Sequence, residues 1–463
     1  MTTLWLSLLL VAQRDTTAIN RYVDSEMARQ HIPGLSIAVL TGDRVLLSRG
    51  YGLANVELRV PASDSTVYQS GSMGKQFTAA VVEMLVDHHQ LRLDDSIVRW
   101  FPEGKDVWRD ITVRRLLTHT SGIAEYTDST FDYRKDYTED ELVKFAASRP
   151  LDFQPGERWS YSNTGYVLLG ALIHRVTGRF YGDLLRDSVF RPLGMNDSRI
   201  ISEADIVPNR AAGYRLENGQ LKNQEWVAPM LNTTADGALY LTVRDLTRWA
   251  VALNHARVPS AAALDTAWTA VRLNDGATYP YGFGWFLLPQ RGEPRISHTG
   301  SWQGFKTVIA RYPRSGLTVI VLANLAEAQV GAIAYAIAGL LDPAVQAPHL
   351  TATAPSSGRE PPLSIPALLG TILAKPDSAP ITPRFRTFLR PDLTAWYRAL
   401  TADGRRWTFG GCDAMTSLKF SYLGSPVAYA CHARSARASG GGTVVSVFYT
   451  AGWQAAGIEG YGY

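Results

Sequence analysis

A serine and a lysine three positions apart are the residues of this chain whose types most directly suggest covalent chemistry. Ser72 and Lys75 are the first and last residues of the segment Ser72-Met73-Gly74-Lys75. Residues at positions i and i+3 of a helix lie on one face, so the two side chains would be within hydrogen-bond reach. A serine hydroxyl attacks a carbonyl once a neighbouring base takes its proton, and a lysine can act as that base when burial lowers its pKa. Chance alone supplies about one Ser-x-x-Lys in a chain of this length. A capping serine followed by a solvated lysine is therefore the alternative.

A second group of polar residues precedes an apolar helix predicted over Tyr166 to Ile173. Tyr161 can relay protons between a nucleophile and a leaving group, and Asn163 can hold a substrate carbonyl and the lysine side chain. The alternative is an aromatic residue packed at a turn, with Asn163 as the cap of the helix.

A third candidate segment, His298-Thr299-Gly300-Ser301, comes just before a predicted strand. Gly300 has no side chain and so lets a substrate backbone approach the strand edge. The backbone amides of Ser301 and Ser72 together can form an oxyanion hole, which stabilises the negative oxygen of a tetrahedral intermediate. For this segment in isolation, a polar turn before the strand is the alternative.

In combination, the motifs Ser-x-x-Lys, Tyr-x-Asn and His-x-Gly resemble those of the penicillin-recognising serine hydrolases, specifically the class C β-lactamase-like group. That group includes D-Ala-D-Ala carboxypeptidases, D-aminopeptidases, esterases and class C β-lactamases. Similar accompanying segments are Ile32–Leu35, Gly50–Gly52, Leu93–Asp95, Leu116–Gly122 and Gly237–Tyr240. The resemblance covers residues 16–341 and implies an α+β fold of the β-lactamase/transpeptidase type. In that fold an antiparallel sheet from both ends of the domain is flanked by helices, beside a helical subdomain.

The resemblance also implies a role for each motif residue. Ser72 is expected to be the acylated nucleophile, Lys75 its hydrogen-bonded partner, and Tyr161 the general base or proton relay. Which of Lys75 and Tyr161 takes the first proton stays open. The implied substrate-binding residues are Asn163, His298, Thr299, Gly300 and Ser301, the last through its oxyanion amide.

His298 departs from many members of this group, which carry a lysine at that position. A lysine is a fixed cation for the carboxylate of a β-lactam or a peptide C-terminus, whereas histidine is mostly neutral at pH 7. The sequence therefore predicts an esterase, an amidase or a D-amino-acid peptidase with at most weak β-lactamase activity. A sensor or peptidoglycan-binding module that captures such ligands without turnover is the alternative function.

Other kinds of site find little support. His119 lies in the segment Leu116–Gly122, to which the resemblance assigns a structural role. No Gly-x-Ser-x-Gly elbow surrounds Ser72, which excludes an α/β-hydrolase. No spacing of histidines and carboxylates indicates a zinc site, so neither a metal nor another cofactor is expected.

The predicted strands would position these motifs. Leu35–Thr41 pairs with Arg44–Arg49 in one hairpin, and Lys306–Tyr312 with Leu317–Ala323 in another, after an amphipathic helix over Thr16–Gln30. Helical periodicity dominates between the two hairpins. This pattern predicts one antiparallel sheet built from both ends of an α+β domain.

Segments near both ends of the sequence suggest further domains. Leu4–Ala12 is an apolar run of signal-peptide length, so residues 1–15 are expected to be a leader and the protein periplasmic or secreted. Without that signal function it would be cytoplasmic. Residues 342–366 form a proline-rich linker between the domain of residues 16–341 and a small α+β domain of unknown role, residues 367–463. The elements predicted in the small domain are a helix over Arg384–Leu400, strands over Leu418–Leu423, Val427–Arg434 and Thr443–Thr450, and a turn at Gly440–Gly442.

Composition limits the partners. The 46 basic against 42 acidic residues leave a net charge of +4 without any basic run, which excludes a nucleic acid. Ala328–Leu341 is apolar but shorter than a spanning helix, so a buried helix and no integral membrane span are predicted. The expected partner is a small ester, amide or D-amino-acid peptide, and the oligomeric state stays open. Cys412 and Cys431 are expected either to form a disulfide or to be buried as small hydrophobic residues.

Pocket walls in this group come from loops, here Glu125–Thr138 and Leu216–Leu231. Tyr126, Trp226 and Trp302 are predicted to line an apolar acyl pocket.

Overall fold

The protein divides into two compact units, Met1–Leu287 with Arg295–Ala334 and Leu288–Pro294 with Tyr335–Tyr463. The computed structural model describes residues 2–127, 131–346, 360–389, 391–402, 405–414, 421–422, 425–436 and 442–462.

Strands from both ends of the first unit meet in one sheet. The strands of this unit are β1 (Gly34–Thr41), β2 (Arg44–Asn55), β3 (Val60–Pro61), β4 (Tyr68–Gln69), β5 (Arg199–Ile200), β6 (Tyr214–Glu217), β7 (Gln220–Asn223), β8 (Leu239–Leu241), β9 (Val271–Arg272), β10 (Thr278–Tyr279), β11 (Ile296–Trp302), β12 (Phe305–Tyr312) and β13 (Leu317–Ala323). Six of them form an antiparallel sheet in the order β11-β12-β13-β1-β2-β3. Because β1 pairs with β13 from the far end of the domain, the predicted α+β sheet from both ends is confirmed.

Most helices of this unit lie between the two hairpins in sequence, while the first helix precedes them and the last follows them. They are α1 (Thr2–Gln30), α2 (Lys75–Asp87), α3 (Val113–Leu117), α4 (Glu139–Ala147), α5 (Asn163–Thr177), α6 (Tyr181–Leu185), α7 (Val243–Asn254), α8 (Ala261–Ala267) and α9 (Val330–Leu341), which runs on into the second unit. Shorter 3-10 turns are Gly71–Gly74, Ile97–Arg99, Pro102–Gly104 and Pro229–Thr233, and Arg186–Phe190 is a π turn.

Helix α7 shows how the sequence fixes a helix on the sheet. The Thr242 side chain accepts a hydrogen bond from the Asp245 amide and so caps the helix. Leu246, Trp249 and Leu253 follow at helical spacing and are buried, and α7 packs against β1 and β13. Complete burial of a side chain of this size contributes about 1.5–3 kcal/mol.

Helix α2, which begins at Lys75, is buried over most of its length and packs against α5 and α6. Its first turn is fixed from the side of α7: the Trp249 indole donates to Gln76 Oε1 at 2.6 Å, and its ring centroid lies 4.6 Å from that of Phe77. The start of α2 therefore has little freedom to move.

The second unit is built around another antiparallel sheet. Its strands are β14 (Arg406–Ala414), β15 (Ser421–Tyr422), β16 (Ser425–Pro426), β17 (Tyr429–Ala436), β18 (Gly442–Tyr449) and β19 (Ala455–Gly462), and its helices are α10 (Ile365–Ala374), α11 (Pro383–Phe388) and α12 (Pro391–Thr401), with a 3-10 turn at Pro376–Ser378. Four strands pair in the order β14-β17-β18-β19. Cys412 on β14 and Cys431 on β17 are direct cross-strand partners joined by a disulfide.

Predictions for this unit were only partly right. The single helix predicted over Arg384–Leu400 is wrong, because α11 ends at Phe388 and Pro391, which has no amide hydrogen, starts a separate helix. The strands predicted over Val427–Arg434 and Thr443–Thr450 correspond to β17 and β18. Most of the strand predicted over 418–423, and most of the turn predicted at 440–442, lie outside the described residues.

Within the part of the chain that the structure describes, no helix is both long enough and apolar enough to cross a bilayer. The apolar segment at the end of the first unit forms α9, whose residues Ile333 and Ala334 are fully buried.

Candidate active site

Ser72 lies on the 3-10 turn Gly71–Gly74, which leads directly into α2. Its neighbours Met73 and Gly74 are buried, whereas Ser72 itself is partly exposed. Lys75 is the first residue of α2, and its Nζ donates to Ser72 Oγ at 3.2 Å. The i, i+3 spacing thus brings the hydroxyl and the amine together as the sequence predicts.

The Lys75 side chain is completely buried among oxygen atoms. Its Nζ donates to Asn163 Oδ1 at 2.7 Å and to the backbone oxygen of Asp236 at 2.5 Å, in addition to Ser72. Burial lowers the pKa of Lys75 from 10.5 to about 8, although the negative charges of Asp236 and Glu125 oppose this shift. A substantial fraction of the amine is therefore neutral near pH 8.

Two glycines let the backbone of other elements approach the turn that carries the nucleophile. A Cβ on Gly300 of β11 would overlap the carbonyl oxygen of Ser70, and one on Gly237 would overlap the backbone of Gly71. The Thr307 hydroxyl on β12 fastens the same Ser70 oxygen with a 2.5 Å hydrogen bond. A side chain at either glycine would push the strand or the turn away from Ser72.

Strand β11 forms one edge of the large sheet and directs some of its amides outward. Ser297 exchanges both of its backbone hydrogen bonds with Phe286, at 2.9 and 2.8 Å, on the side away from β12. Because amides alternate along an antiparallel strand, the amide of Ser301 also faces this outer edge. The Ser301 amide lies against the Gly71 position, so it stands close to Ser72 as an oxyanion hole requires.

The start of α5 carries the second motif. Ser162 caps this helix through its side chain, which makes Asn163 the first helical residue. The backbone amide of Asn163 donates to Glu125 Oε2 at 2.5 Å. Its side-chain oxygen Oδ1 accepts a hydrogen bond from Lys75 Nζ. The Tyr161 ring centroid lies 5.0 Å from Lys75 Nζ. The structure thus brings Asn163 and Tyr161 to the serine and lysine.

His298 is a residue of β11, and it is 2 % exposed. Its Nε2 is 3.1 Å from the Tyr281 hydroxyl, and its Nδ1 is 2.6 Å from the Thr299 backbone oxygen. The same Tyr281 hydroxyl is 3.1 Å from His119 Nε2, while His119 Nδ1 accepts the Ser162 amide at 3.1 Å. These side chains connect β11 to the start of α5. The Thr299 side chain is exposed.

A cavity of about 180 Å³ opens beside the nucleophile. Its described lining consists of Gly71, Ser72, Tyr126, Thr127, Tyr133, Asn163, Leu231, Thr234, Asp236, Gly237, Ala238, Ser301 and Trp302. Tyr126 and Trp302 therefore lie where the pocket prediction puts them. Trp226 does not, because it follows the β6–β7 hairpin and is 61 % exposed. His298 and Tyr161 stand outside this lining.

Three charged residues near the site escaped the sequence analysis. Asp236 directly precedes the segment Gly237–Tyr240, which the sequence analysis compares with the family. Glu125 begins a loop predicted to form a pocket wall. Both residues therefore adjoin segments that the sequence analysis had already selected. Lys306 Nζ donates to Ser301 Oγ at 2.7 Å, and burial lowers the pKa of this lysine. Burial likewise raises the pKa of Glu125. No pattern in the sequence marks Lys306.

Among the described residues, no group of three or more histidine, cysteine or acidic side chains has the arrangement of a metal site.

Comparison with known proteins identifies relatives. The family model described as Beta-lactamase matches residues 19–341. Penicillin-binding protein 4* of Bacillus subtilis (strain 168) is 31 % identical over 312 residues, which cover 64 % of this chain and 68 % of that protein. The octameric penicillin-binding protein homologue of Pyrococcus abyssi superposes with a TM-score of 0.64 at 24 % identity, covering 96 % of this chain and 90 % of that one. The D-amino acid amidase of Ochrobactrum anthropi SV3 superposes with a TM-score of 0.60 at 26 % identity, covering 67 % and 91 %.

Proposed function

The chain belongs to the β-lactamase family of serine hydrolases, and from that premise we propose that it hydrolyses small esters and amides, including D-amino-acid amides or peptides, through an acyl-enzyme on Ser72. The resemblance read from the motifs is confirmed by the family match and by the penicillin-binding relatives. The observation that carries the proposed mechanism is the contact between the Ser72 hydroxyl and a buried lysine with a lowered pKa.

The surroundings of Lys75 favour it as the first base. A protonated lysine has three N–H donors, and the three oxygens around Nζ take all of them. Two of these oxygens, the Asn163 amide oxygen and the Asp236 carbonyl, can only accept, whereas the Ser72 hydroxyl can also donate. When Lys75 loses its proton, its lone pair therefore points to Ser72.

The reaction then follows from these positions. Neutral Lys75 takes the hydroxyl proton while Ser72 Oγ attacks the substrate carbonyl carbon. The amides of Ser72 and Ser301 stabilise the tetrahedral oxyanion. The leaving group departs with a proton, for which Tyr161 is the proposed relay, and a water molecule hydrolyses the acyl-enzyme by the same proton transfers in reverse.

The proposed preference for uncharged or aminoacyl substrates over β-lactams rests on His298. In a dedicated β-lactamase we expect a cation in contact with the substrate carboxylate. Here the histidine is buried and directs its nitrogens to Tyr281 and the Thr299 backbone. Similarity to a protein named as a D-amino acid amidase supports amides as substrates.

Covalent labelling tests the proposal. Intact mass is measured after reaction with a fluorophosphonate, beside p-nitrophenyl acetate turnover, for the wild type, Ser72→Ala and Ser65→Ala, a control serine outside the cavity lining. One adduct is expected on the wild type and the control, and none on Ser72→Ala. Tyr161→Phe in the same assay shows whether adduct formation needs the tyrosine hydroxyl, which would make Tyr161 the first base.

The outcomes separate the alternatives. An adduct with continuing turnover supports a hydrolase. An adduct without turnover of esters, D-peptides or β-lactams would identify a covalent sensor instead. No adduct on the wild type, or an equal adduct on Ser72→Ala, would overturn the acyl-enzyme on Ser72.

A further inference from the structure

The cavity beside Ser72 contains a negative charge that the acyl-enzyme chemistry does not require. Of the described residues that line it, only Asp236 has a charged side chain. The remaining lining is aromatic, hydroxylic or aliphatic, with two glycines and the amide of Asn163. Asp236 is 9 % exposed, so little bulk water surrounds its carboxylate.

The Asp236 carboxylate is held in place but not neutralised by an ion pair. Its Oδ2 accepts a hydrogen bond from the Tyr126 hydroxyl at 3.0 Å. No residue in the described part of the chain donates to Oδ1, and none of the lysines or arginines described forms a salt bridge with Asp236. Buried carboxylates are ordinarily paired, so Oδ1 is suited to accept a donor from a ligand.

The backbone of Asp236 fixes this carboxylate close to the reacting atoms. Its carbonyl oxygen and Ser72 Oγ both accept hydrogen bonds from Lys75 Nζ. A Cβ on the next residue, Gly237, would lie 2.9 Å from the Ser72 amide. Asp236 therefore lies beside the turn that carries Ser72, and both residues line the same cavity.

The walls of the cavity also suit a cation. Tyr126, Tyr133 and Trp302 present aromatic side chains to it, and aromatic faces attract ammonium groups. The Trp302 indole is fixed by a 2.9 Å hydrogen bond from its Nε1 to Asn232 Oδ1. Lys75 Nζ directs its donors to Ser72 Oγ, Asn163 Oδ1 and the Asp236 backbone oxygen rather than to the Asp236 carboxylate.

We propose that Asp236 binds the ammonium group of the substrate, so that the pocket selects esters and amides of amino acids with a free α-amine. This inference rests on the hydrolase function proposed above. The α-amine is two bonds from the scissile carbonyl, which matches the closeness of Asp236 to Ser72. The same carboxylate repels substrates that carry a negative charge in this position.

The test compares substrates whose α-amine is either free and charged or acetylated and neutral. The kcat/KM is measured at pH 7 for alanine methyl ester and N-acetylalanine methyl ester, in both enantiomers, with wild type, Asp236→Asn and Asp106→Asn. Asp106 is an exposed carboxylate that does not line the cavity, so its variant changes the net charge equally. The wild type and Asp106→Asn are expected to prefer the free amine by about 10- to 100-fold, and Asp236→Asn to lose that preference.

Because the readout is a ratio, a general loss of stability in Asp236→Asn lowers both rates and leaves the ratio unchanged. A second measurement needs no variant. Phenethylamine is expected to inhibit wild-type hydrolysis of p-nitrophenyl acetate at a concentration at least about tenfold lower than 2-phenylethanol does.

Equal kcat/KM for the two wild-type substrates, a preference that survives in Asp236→Asn, or equal inhibition by the amine and the alcohol would each overturn the role of Asp236. Any of these results together with a Ser72 adduct and ester turnover leaves the hydrolase function standing. Loss of the adduct and of all turnover refutes the hydrolase itself.

Discussion

The pH dependence of acylation follows from the environment of Lys75. Only the neutral amine can take the Ser72 proton, and burial lowers the pKa of Lys75 to about 8. The kcat/KM for an uncharged ester should therefore rise about tenfold per pH unit below pH 7 and level off above pH 9. The kcat/KM must rise and not fall with pH, since the reactive form of Lys75 is the deprotonated one.

The magnitude shows why burial matters. A shift from 10.5 to about 8 disfavours the charged amine by about 3 kcal/mol. At pH 7.5 it raises the neutral fraction from about 0.1 % to about a quarter. An exposed lysine in the same position would leave the serine without a base in nearly every molecule.

The assay is the initial rate of p-nitrophenyl acetate hydrolysis between pH 6 and 10, corrected for spontaneous hydrolysis. Glu125→Gln sharpens the test, because the negative charge of Glu125 raises the pKa of Lys75. Its removal should move the midpoint to lower pH, while Asp106→Asn should leave it in place. A profile without a limb between pH 6 and 9, or a midpoint displaced upward in Glu125→Gln, would refute this account of Lys75.

Two packing predictions concern the elements that hold the site. Gly300→Ala should abolish most ester turnover, since its Cβ would overlap the backbone beside the nucleophile. Gly370→Ala has open space on α10 and should raise the unfolding free energy by about 0.5–1 kcal/mol. Ester turnover and urea denaturation are measured for both variants. Trp249→Phe leaves buried Gln76 Oε1 without its donor and should lower the unfolding free energy by about 1–3 kcal/mol in urea, against a change within about 0.5 kcal/mol for exposed Trp226→Phe. Equal turnover in the two glycine variants, or equal loss of stability in the two tryptophan variants, would contradict the contacts described.

The large sheet was predictable because its strands are marked locally. Leu35–Thr41 and Leu317–Ala323 are apolar runs bounded by turns, and in the structure both are buried almost throughout. In the second unit β14 and β19 were missed, since Arg406–Ala414 and Ala455–Gly462 contain several glycines and few β-branched residues. Their pairing depends on neighbouring strands and, for β14, on the disulfide to β17, which no local propensity reveals.

Residue spacing alone predicted the site only where its residues are close in sequence. Tyr161, Asn163 and Ser301 were predicted from the resemblance of their motifs to the family. Ser72 and Lys75 are three residues apart, and helical geometry alone brings them together. Asp236 reaches Lys75 from 161 residues away through a backbone carbonyl, an interaction that has no preference for residue type. Tyr281 likewise joins His119 and His298 only after β11 has packed at the sheet edge. Contacts between residues this far apart produce no sequence spacing from which they could be predicted.

The charges around the nucleophile form a consistent set once Asp236 is included. Without a ligand, its carboxylate stabilises protonated Lys75 and so raises the lysine pKa. A substrate ammonium bound at Asp236 would offset that negative charge and add a cation near Nζ. Both effects lower the pKa of Lys75. An aminoacyl substrate would therefore increase the fraction of neutral amine at the moment Ser72 is to be deprotonated, whereas an anionic substrate would decrease it. The preference for cationic over anionic substrates would then act on the rate of acylation as well as on binding.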